Sequence, residues 1–236
     1  CKGNHYVLKN FKGNLSASQC YCFQCETCEG DGRCFEEDEL GRSIVAECSC
    51  TKFKKRIQLL NEAGIPGKFL TATFESFNSS SKKSEMSKNF AKTVAVDFVN
   101  NFGKTNRGLV FTGGPGTGKT HLAISTVKAL ILEKAVDCKF VDFFQLLAHI
   151  RHGYSQDVSE QTLIQPYVQS KVLVIDELAK GRNTEWELTI LDQVISNRYN
   201  TADKITLFTT NFTQDIPKDK NEPQKIDTTK IGFSEM

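Results

Sequence analysis

The sequence predicts an α/β fold, in which a parallel sheet carries helices on both faces and is preceded by a small cysteine-rich module. Three observations lead to this prediction. From Gly108 onward, short apolar runs alternate with helical patterns, which is typical of parallel strands joined by crossover helices. A glycine-rich loop joins the first apolar run to the first of these helices. Seven of the nine cysteines lie between Cys20 and Cys50, where there is little apolar periodicity.

Length and composition are typical of a globular protein. The 236 residues of the chain, of which 39% are hydrophobic and 25% charged, suffice for one sizeable core and a small appended module. The net charge of +2 argues neither for nor against nucleic acid, and we expect the basic run at 52–56 to be a solvated helix face. Neither a run of about 18 apolar residues nor a signal peptide is present, so we expect a cytoplasmic location and no membrane partner. The chain lacks an initiating Met, and we expect it to be a fragment.

Apolar patterns locate the elements of the predicted sheet. The run at 172–175 is apolar at every position, as expected for a strand that is covered on both faces. The other strands and two of the helices are predicted at 109–111, 139–142, 205–208, 120–132 and 185–199. Upstream, four apolar residues recur at every fourth position and predict a helix whose apolar face packs on the sheet. They are Met86, Phe90, Val94 and Phe98.

The glycine-rich loop has the form G-x-x-x-x-G-K-[ST], between a predicted strand and a predicted helix. Its glycines let successive N–H groups turn toward phosphates, and the start of the helix adds the positive end of its dipole. We expect Lys119 to reach the β and γ phosphates and Thr120 to bind Mg²⁺. A glycine-rich turn with a chance Lys-Thr pair is disfavoured by the flanking elements. The predicted phosphate-binding residues are Gly113, Gly114, Pro115, Gly116, Thr117, Gly118, Lys119 and Thr120.

Polar residues follow two of the predicted strands. Asp176 and Glu177 come directly after the strand at 172–175, at a sheet edge that parallel strands share with the glycine-rich loop. We expect Asp176 to help hold Mg²⁺ and Glu177 to polarise an attacking water. On its own the pair would more simply be a solvated acidic strand end. Asn211 follows the strand at 205–208, where it is compatible with either a γ-phosphate contact or a simple turn. The predicted catalytic set is Lys119, Asp176, Glu177 and Asn211.

Four of the cysteines form two closely spaced pairs, Cys25-x-x-Cys28 and Cys48-x-Cys50. Four thiolates make a closed tetrahedral Zn²⁺ site, and zinc supplies folding free energy, on the order of 10 kcal/mol, that a segment poor in apolar residues lacks. The sequence therefore predicts a zinc site at these four cysteines.

Other uses of the cysteines stay open. Cys20, Cys22 or Cys34 could replace one of the four predicted ligands, or could be ordinary thiols. Cys22, Cys25 and Cys28 form C-x2-C-x2-C, the opening of a ferredoxin pattern. The usual C-x3-C-P ending is absent, which disfavours an iron–sulfur cluster.

Four segments of the chain together resemble one known family. They are 65–77, with Ile-Pro and Ala-Thr-Phe-Glu-Ser-Phe; 113–121, the glycine-rich loop followed by His; 175–199; and 209–211, Thr-Thr-Asn. With these segments the chain resembles the bacterial replicative helicase loaders of the DnaC/DnaI type, a branch of the AAA+ ATPases close to the IstB transposition helpers. The resemblance implies an AAA+ P-loop sheet, an adenine pocket that includes Thr73, Phe74 and His121, and a sensor role for Asn211.

Composition divides the chain into a cysteine-rich, zinc-binding module at 1–56, a linker at 57–66 and a third region at 67–236. The resemblance implies that this third region is an AAA+ ATPase domain, incomplete at its C-terminal end. The family's trans-acting arginine lies after the sensor residue, so we expect it beyond this chain, which alone would hydrolyse ATP poorly. Arg198 precedes the sensor, and a structural or interface role is as compatible with its position as any other. The segment 145–170 matches a helical insertion that in this family helps to steer assembly and single-stranded DNA.

The function that the resemblance implies is ATP-dependent loading of the replicative hexameric helicase onto single-stranded DNA by a ring or spiral of subunits. An IstB-like transposition helper, which partners a transposase on DNA, is the alternative. The zinc module disfavours this alternative because such helpers usually begin with an all-helical segment. A non-hydrolysing interaction protein that zinc stabilises and that uses ATP only structurally is a third hypothesis. Glu177 argues against it, and the expected absence of the trans-acting arginine argues for it. A small-molecule kinase is disfavoured because no substrate lid is recognisable.

Overall fold

The computed structural model consists of two antiparallel hairpins and a long helix, followed by a four-stranded parallel sheet with its helices. It describes residues 5–77, 82–178, 184–201 and 203–212, without the side chains of 82–84. Residues 78–81 and the stretch 213–236 of the predicted ATPase domain lie outside the described residues. No helix in the described ranges is long and apolar enough to cross a membrane.

The N-terminal module contains two hairpins and the start of a helix. The elements are β1 (Tyr6–Phe11), β2 (Asn14–Gln19), β3 (Arg33–Glu37), β4 (Ser43–Glu47) and α1 (Ser49–Glu62). Lys12 and Gly13 join β1 to β2 with φ angles of 49° and 86°, and positive φ at both central residues is the mark of a type I′ hairpin turn. Helix α1 starts almost directly after β4, with Cys48 between them.

The predicted linker at 57–66 contributes to the main hydrophobic core. Leu59 and Leu60 of α1 are buried in the cluster that also contains the sheet and Leu15 of β2. After the helix, the Ala63 carbonyl accepts a 2.7 Å hydrogen bond from the N–H of Phe140, which lies in the sheet. The chain from the cysteine-rich module to the sheet is therefore packed along its length rather than loosely tethered.

The main sheet has four parallel strands in the order β5-β8-β7-β6. The strands are β5 (Val110–Thr112), β6 (Cys138–Asp142), β7 (Val172–Leu178) and β8 (Ile205–Thr210). The helices are α2 (Lys82–Asn100), α3 (Lys119–Lys134), α4 (Phe143–Tyr154), α5 (Glu160–Gln169) and α6 (Glu185–Tyr199). The parallel α/β sheet predicted from the alternating patterns is confirmed.

Both faces of the sheet are covered by helices. Val172 and Val174 of β7 lie in one core with residues of α3, whereas Leu173 and Ile175 lie in a second core with residues of α4, α5 and α6. Alternate residues of a strand point to opposite faces, so a strand buried on both sides has to be apolar throughout. This burial is the physical reason for the uninterrupted apolar run of β7.

The predicted packing of α2 is wrong in part. Met86 and Phe90 are 86% and 71% exposed, and Val94 is exposed as well. The buried residues of the helix include Ala95 and Val99, and α2 packs against α3 rather than directly on the sheet. A four-residue step turns an α-helix by about 40° beyond a full turn, so residues at this spacing drift away from a single face.

Arg198 of α6 has a structural role. It is 1% exposed, and its guanidinium donates hydrogen bonds to the carbonyls of Tyr167, Ser170 and Ile205 at 2.6, 2.8 and 2.7 Å. Burial lowers the pKa of the guanidinium to about 10. The side chain fastens α6 to the end of α5 and the start of β8, so it is not available to act on a neighbouring subunit.

Candidate functional site

The topology of the sheet gathers the predicted site residues at one edge. Strand β8 lies between β5 and β7, and all three are parallel. The loop after β5, the acidic pair at the end of β7 and Asn211 after β8 therefore all leave the sheet at the carboxyl ends of adjacent strands. In open parallel sheets this edge is where ligands bind.

The glycine-rich loop owes its shape to three left-handed glycines. Gly113, Gly116 and Gly118 have backbone φ angles of 143°, 74° and 95°, which residues other than glycine rarely adopt. Gly118 is the N-cap of α3, so the loop runs directly into a helix N-terminus. The Thr117 hydroxyl closes the loop with a 2.9 Å hydrogen bond to the Gly114 carbonyl. This arrangement of a curled loop and a helix start suits an anionic ligand.

The Lys119 ammonium lies inside the curve of the loop. It donates hydrogen bonds to the carbonyls of Gly113 and Gly114, both at 2.8 Å. Burial lowers the pKa of Lys119, while the nearby carboxylates of Asp176 and Glu177 act in the opposite direction. The lysine predicted to reach phosphates is thus held at the loop, next to the acidic pair.

The predicted magnesium residues, Thr120 and Asp176, are in contact. The Thr120 hydroxyl lies 2.9 Å from Asp176 Oδ1 and donates a hydrogen bond to it. Asp176 is 6% exposed, and this burial raises the pKa of its carboxyl group. The hydrogen bonds from Thr209 and Thr120 act in the opposite direction but are outweighed. A hydroxyl and a carboxylate side by side are hard oxygen donors of the kind that Mg²⁺ prefers. The donor set therefore suits a magnesium ion.

Glu177 occupies a bulge near the end of β7. The pairing register with β8 shifts between Ile175 and Leu178, and Glu177 has a φ of 57°. A residue other than glycine in this region carries strain of about 1 kcal/mol or more, and such strain concentrates at functional sites. Bulges next to active sites re-aim side chains, which accounts for a carboxylate here that departs from the regular pleat.

Thr209 is a site residue that the sequence-based set omits. Its hydroxyl donates a 2.5 Å hydrogen bond to Asp176 and accepts a 3.0 Å hydrogen bond from the N–H of Glu177. Asn211, the predicted sensor, follows β8 directly and is exposed. The sequence offered one signal for Thr209. In the alternating pattern of β8 it falls on the same face as Ile205 and Leu207, and a buried threonine hydroxyl needs a hydrogen-bond partner.

The predicted adenine segment is fastened to α3. His121 Nε2 lies 2.9 Å from the Thr73 carbonyl and 3.2 Å from the Ser76 hydroxyl. The Phe74 side chain packs on the main core. Phe77, which the sequence-based set does not include, lies against the loop, because a Cβ on Gly118 would sit 2.5 Å from its ring. Phe77 is therefore the aromatic residue of this segment that borders the phosphate loop.

A buried lysine holds the start of the same segment. Lys128 of α3 is 4% exposed and donates hydrogen bonds to the carbonyls of Leu70 and Ala72 at 2.9 and 2.7 Å. Burial lowers the pKa of its amine to about 8. Together with His121, this lysine fixes the segment upstream of α2 at two points along α3.

The four predicted zinc ligands form one cluster. The sulfur atoms of Cys25, Cys28, Cys48 and Cys50 all lie within 4.8 Å of one another, and the pairs Cys25–Cys48 and Cys28–Cys50 are 3.5 and 3.4 Å apart. The N–H of Gly32 donates a 3.2 Å hydrogen bond to Cys28 Sγ. This hydrogen bond is the main reason why the pKa of the Cys28 thiol is lowered to about 6. Tetrahedral Zn²⁺ with Zn–S bonds of about 2.3 Å separates its sulfurs by about 3.8 Å, so the cluster can hold this metal.

The remaining cysteines of the module lie outside this set of four. Cys34 Sγ lies 3.8 Å from the Ala46 carbonyl. Cys22 donates to Cys20 at an Sγ–Sγ distance of 3.0 Å. The C-x2-C-x2-C pattern is therefore divided between the four-cysteine cluster and a separate pair, which further disfavours a ferredoxin-type cluster built on that run.

Comparison with known proteins identifies the family. The family described as IstB-like ATP binding protein matches residues 31–216, which is most of the chain. The chain belongs to the IstB-like ATP-binding protein family. The match begins within the cysteine-rich module and includes the glycine-rich loop, the acidic pair and Asn211.

Individual relatives of this family member are distant. YqaM of Bacillus subtilis is 26% identical over 162 residues, which cover 65% of this chain and 50% of that protein. The replicative helicase loader DnaC of Buchnera aphidicola (subspecies Baizongia pistaciae) is 27% identical over 150 residues, covering 62% and 58%. The chain thus spans between half and three-fifths of the length of these curated relatives.

A solved structure supports the same assignment. The crystal structure of the DnaC helicase loader superimposes with a TM-score of 0.55 and 31% identity, covering 62% of this chain and 80% of that one. The predicted AAA+ P-loop fold and the resemblance to the DnaC/DnaI and IstB type are thereby confirmed.

Proposed function

We propose that this chain binds ATP together with Mg²⁺ at the loop between β5 and α3 and hydrolyses it to ADP and phosphate. The observation that carries the proposal is the hydrogen-bonded chain from Thr120 through Asp176 to Thr209. It joins the end of the phosphate loop to the ends of two adjacent strands. Membership of an ATP-binding family supports the choice of nucleotide.

Each residue has a defined task in this proposal. The N–H groups of the loop bind the phosphates, and the Lys119 ammonium exchanges its carbonyl partners for phosphate oxygens. Thr120 and Asp176 hold Mg²⁺, which neutralises charge that develops on the phosphates. Glu177 accepts a proton from the attacking water, and Asn211 orients that water.

Two substitutions separate binding from hydrolysis. Lys119→Ala is expected to abolish ATP binding in a direct titration, because the loop loses its only cationic side chain. Glu177→Gln keeps the size of the side chain but not the base, so ATP affinity is expected to stay while phosphate release falls. Retained affinity in Lys119→Ala would refute the phosphate site, and unchanged turnover in Glu177→Gln would refute the assigned base.

We infer that the biological task is DNA replication, by loading of a replicative hexameric helicase onto single-stranded DNA. A relative named as a replicative helicase loader, 27% identical, supports this choice. Loading would use self-association into a ring or spiral, with ATP as the timing switch and a neighbour's arginine completing the site. An IstB-like helper that partners a transposase is the second candidate, and the family match favours it.

A capture experiment distinguishes the two partners. The chain, loaded with ATP and Mg²⁺, is offered the replicative helicase and a transposase encoded in the same genome. We expect retention of the helicase and stimulation of its binding to single-stranded DNA. Retention of the transposase alone, on duplex DNA, would favour the second candidate. Lys119→Ala serves as the control for dependence on nucleotide.

We further propose that Cys25, Cys28, Cys48 and Cys50 bind one structural Zn²⁺ ion. Four thiol groups converge at distances near those of tetrahedral zinc. A closed set of four protein ligands leaves no position for substrate, so the metal would stabilise the module rather than catalyse. Metal analysis of the purified chain is expected to give one zinc per chain and no iron.

A further inference from the structure

A second group of thiols lies beside the four-cysteine cluster, at the turn that follows β2. The Cys22 thiol donates to Cys20 with only 3.0 Å between the two sulfur atoms. The turn is closed by a 3.0 Å hydrogen bond from the Phe23 N–H to the Cys20 carbonyl. On its other side, the Cys20 N–H donates to the His5 carbonyl at 2.8 Å. The backbone therefore holds the two thiols together on one side of the turn.

The two thiols differ in access. Cys20 is 6% exposed, whereas Cys22 is exposed and follows Tyr21, which is 97% exposed. A reagent in solvent can reach the Cys22 sulfur, and the Cys20 sulfur lies directly behind it. The hydrogen bond between them lowers the pKa of Cys20 and raises that of Cys22, so the shielded sulfur is the better thiolate.

We propose that Cys20 and Cys22 form a dithiol–disulfide site that exchanges with low-molecular-weight disulfides of the oxidised glutathione class. The exposed Cys22 thiol passes its proton to the Cys20 thiolate, to which it donates a hydrogen bond, as it attacks one sulfur of the external disulfide. The S–S bond of that disulfide breaks, and the leaving thiolate takes up this proton and departs as a thiol, so that Cys20 is again a thiolate. The Cys20 thiolate then attacks the Cys22 sulfur of the mixed disulfide and releases the second thiol. The protein loses two electrons and two protons, which reduce the external disulfide to two thiols.

The geometry needs little adjustment for this reaction. A disulfide has an S–S distance of about 2.05 Å, so the sulfurs have to approach by roughly 1 Å, which side-chain rotation can supply. Phe23 stacks on Phe53 of α1 with ring centroids 4.8 Å apart, and Cys25 begins the cluster three residues after Cys22. A bond between Cys20 and Cys22 would tighten the connection from β2 into the four-cysteine cluster.

Other described cysteines are less suited to this chemistry. The cluster cysteines converge on one point, where bound metal would occupy their thiolates. Cys138 is 1% exposed, and burial raises the pKa of its thiol. Among the described cysteines, only Cys22 is exposed to solvent. The reactive pair is therefore distinguished by contact and access rather than by sequence spacing alone.

The test uses the full chain, loaded with zinc and titrated with oxidised glutathione. Intact mass is expected to fall by about 2 Da, the loss of two hydrogens, and peptide mapping is expected to find a Cys20–Cys22 link. Zinc content is expected to stay unchanged. Cys20→Ser should accumulate a glutathione adduct on Cys22, because the second attack is removed. Cys34→Ser, in a cysteine outside both the pair and the cluster, should behave as the unmodified chain.

Three outcomes would overturn the proposal. The first is the absence of a Cys20–Cys22 link at any glutathione ratio. The second is a link that involves cluster cysteines and releases zinc. The third is the loss of a second equivalent of zinc in Cys20→Ser, which would make the pair metal ligands. None of these outcomes depends on nucleotide binding, so the proposal fails or stands separately from the proposed ATPase function.

Discussion

The Thr209 hydroxyl donates a 2.5 Å hydrogen bond to Asp176 Oδ1, across the two central strands of the sheet. The same hydroxyl accepts a hydrogen bond from the N–H of Glu177 at 3.0 Å. One side chain thereby fixes the carboxylate proposed for magnesium and the backbone of the proposed base. Because Glu177 sits in a strained bulge with a φ of 57°, this hydrogen bond helps to hold it there.

We predict that Thr209→Val lowers ATP turnover by about tenfold or more while ATP still binds. Valine has a similar shape but no hydroxyl, so Asp176 loses a donor and the Glu177 N–H loses its acceptor. A misalignment that costs ~1.4 kcal/mol in the transition state corresponds to a tenfold loss of rate. Steady-state phosphate release measures the effect. Thr209→Ser, which keeps the hydroxyl, is the control, and equal losses in both variants would contradict the assigned role.

How far the sequence predicts this site depends on the range of the interactions. The phosphate loop and the acidic pair are local, because each residue type follows from its chemistry and from its place after a strand. The contact between Thr209 and Asp176 joins residues 33 apart on different strands. It depends on the strand order β5-β8-β7-β6, which spacing along the chain does not specify.

The errors of prediction have similar physical causes. The four-residue spacing of Met86, Phe90 and Val94 predicts a helix correctly, but the drift of that spacing leaves these side chains exposed. The position of Arg198 along the chain could not decide its role. Its burial and its bonds to three carbonyls do decide it, and both arise only when α5, α6 and β8 come together.

We predict that Gly118→Ala destabilises the fold by at least about 1–2 kcal/mol and weakens ATP binding. Its φ of 95° is strained for alanine, and the new Cβ would lie 2.5 Å from the Phe77 ring. Gly114→Ala is the matched control, because no atom lies within 4 Å of its added Cβ and its φ is not in the left-handed region. Thermal unfolding of both variants tests the prediction, and equal stability of the two would contradict it.

We predict a pH-dependent contribution to stability from Lys128. Burial lowers the pKa of its amine from 10.5 to about 8 in the folded chain. Between these two values the unfolded chain binds more protons at this residue than the folded chain, so the free energy of unfolding rises with pH. Below about pH 8 both states are protonated, and the full cost of burying the charge remains.

Denaturant unfolding of the unmodified chain and of Lys128→Met tests this linkage. The difference between their unfolding free energies, unmodified chain minus variant, is expected to increase with pH from about 8 to about 10.5. Taking the difference removes the contribution of other groups that titrate in the same window. Lys52→Met, at an exposed position of α1, is the matched control. A difference that stays level across the window would mean that Lys128 keeps its ordinary pKa.

We predict that removal of the metal destabilises the whole chain and not the cysteine-rich module alone. Helix α1 carries Cys50 in its first turn and buries Leu59 and Leu60 in the core shared with the sheet. Loss of zinc is therefore expected to loosen the start of a helix on which the main core depends, and not only the hairpins. We expect chelation, or Cys48→Ser, to lower the melting temperature of the whole chain by several degrees, since ~1 kcal/mol corresponds to about 2–4 °C at this size.

Differential scanning calorimetry with parallel zinc analysis distinguishes this coupling from independent folding. If α1 transmits the loss, the main transition itself shifts down as zinc leaves. If the module unfolds alone, a small early transition separates and the main transition keeps its position, which would contradict the coupling. Cys34→Ser controls for the removal of a thiol from the same module outside the cluster, and it should retain zinc. Because Ala63, directly after α1, accepts a hydrogen bond from Phe140 in the edge strand β6, we expect the shift to extend to the sheet.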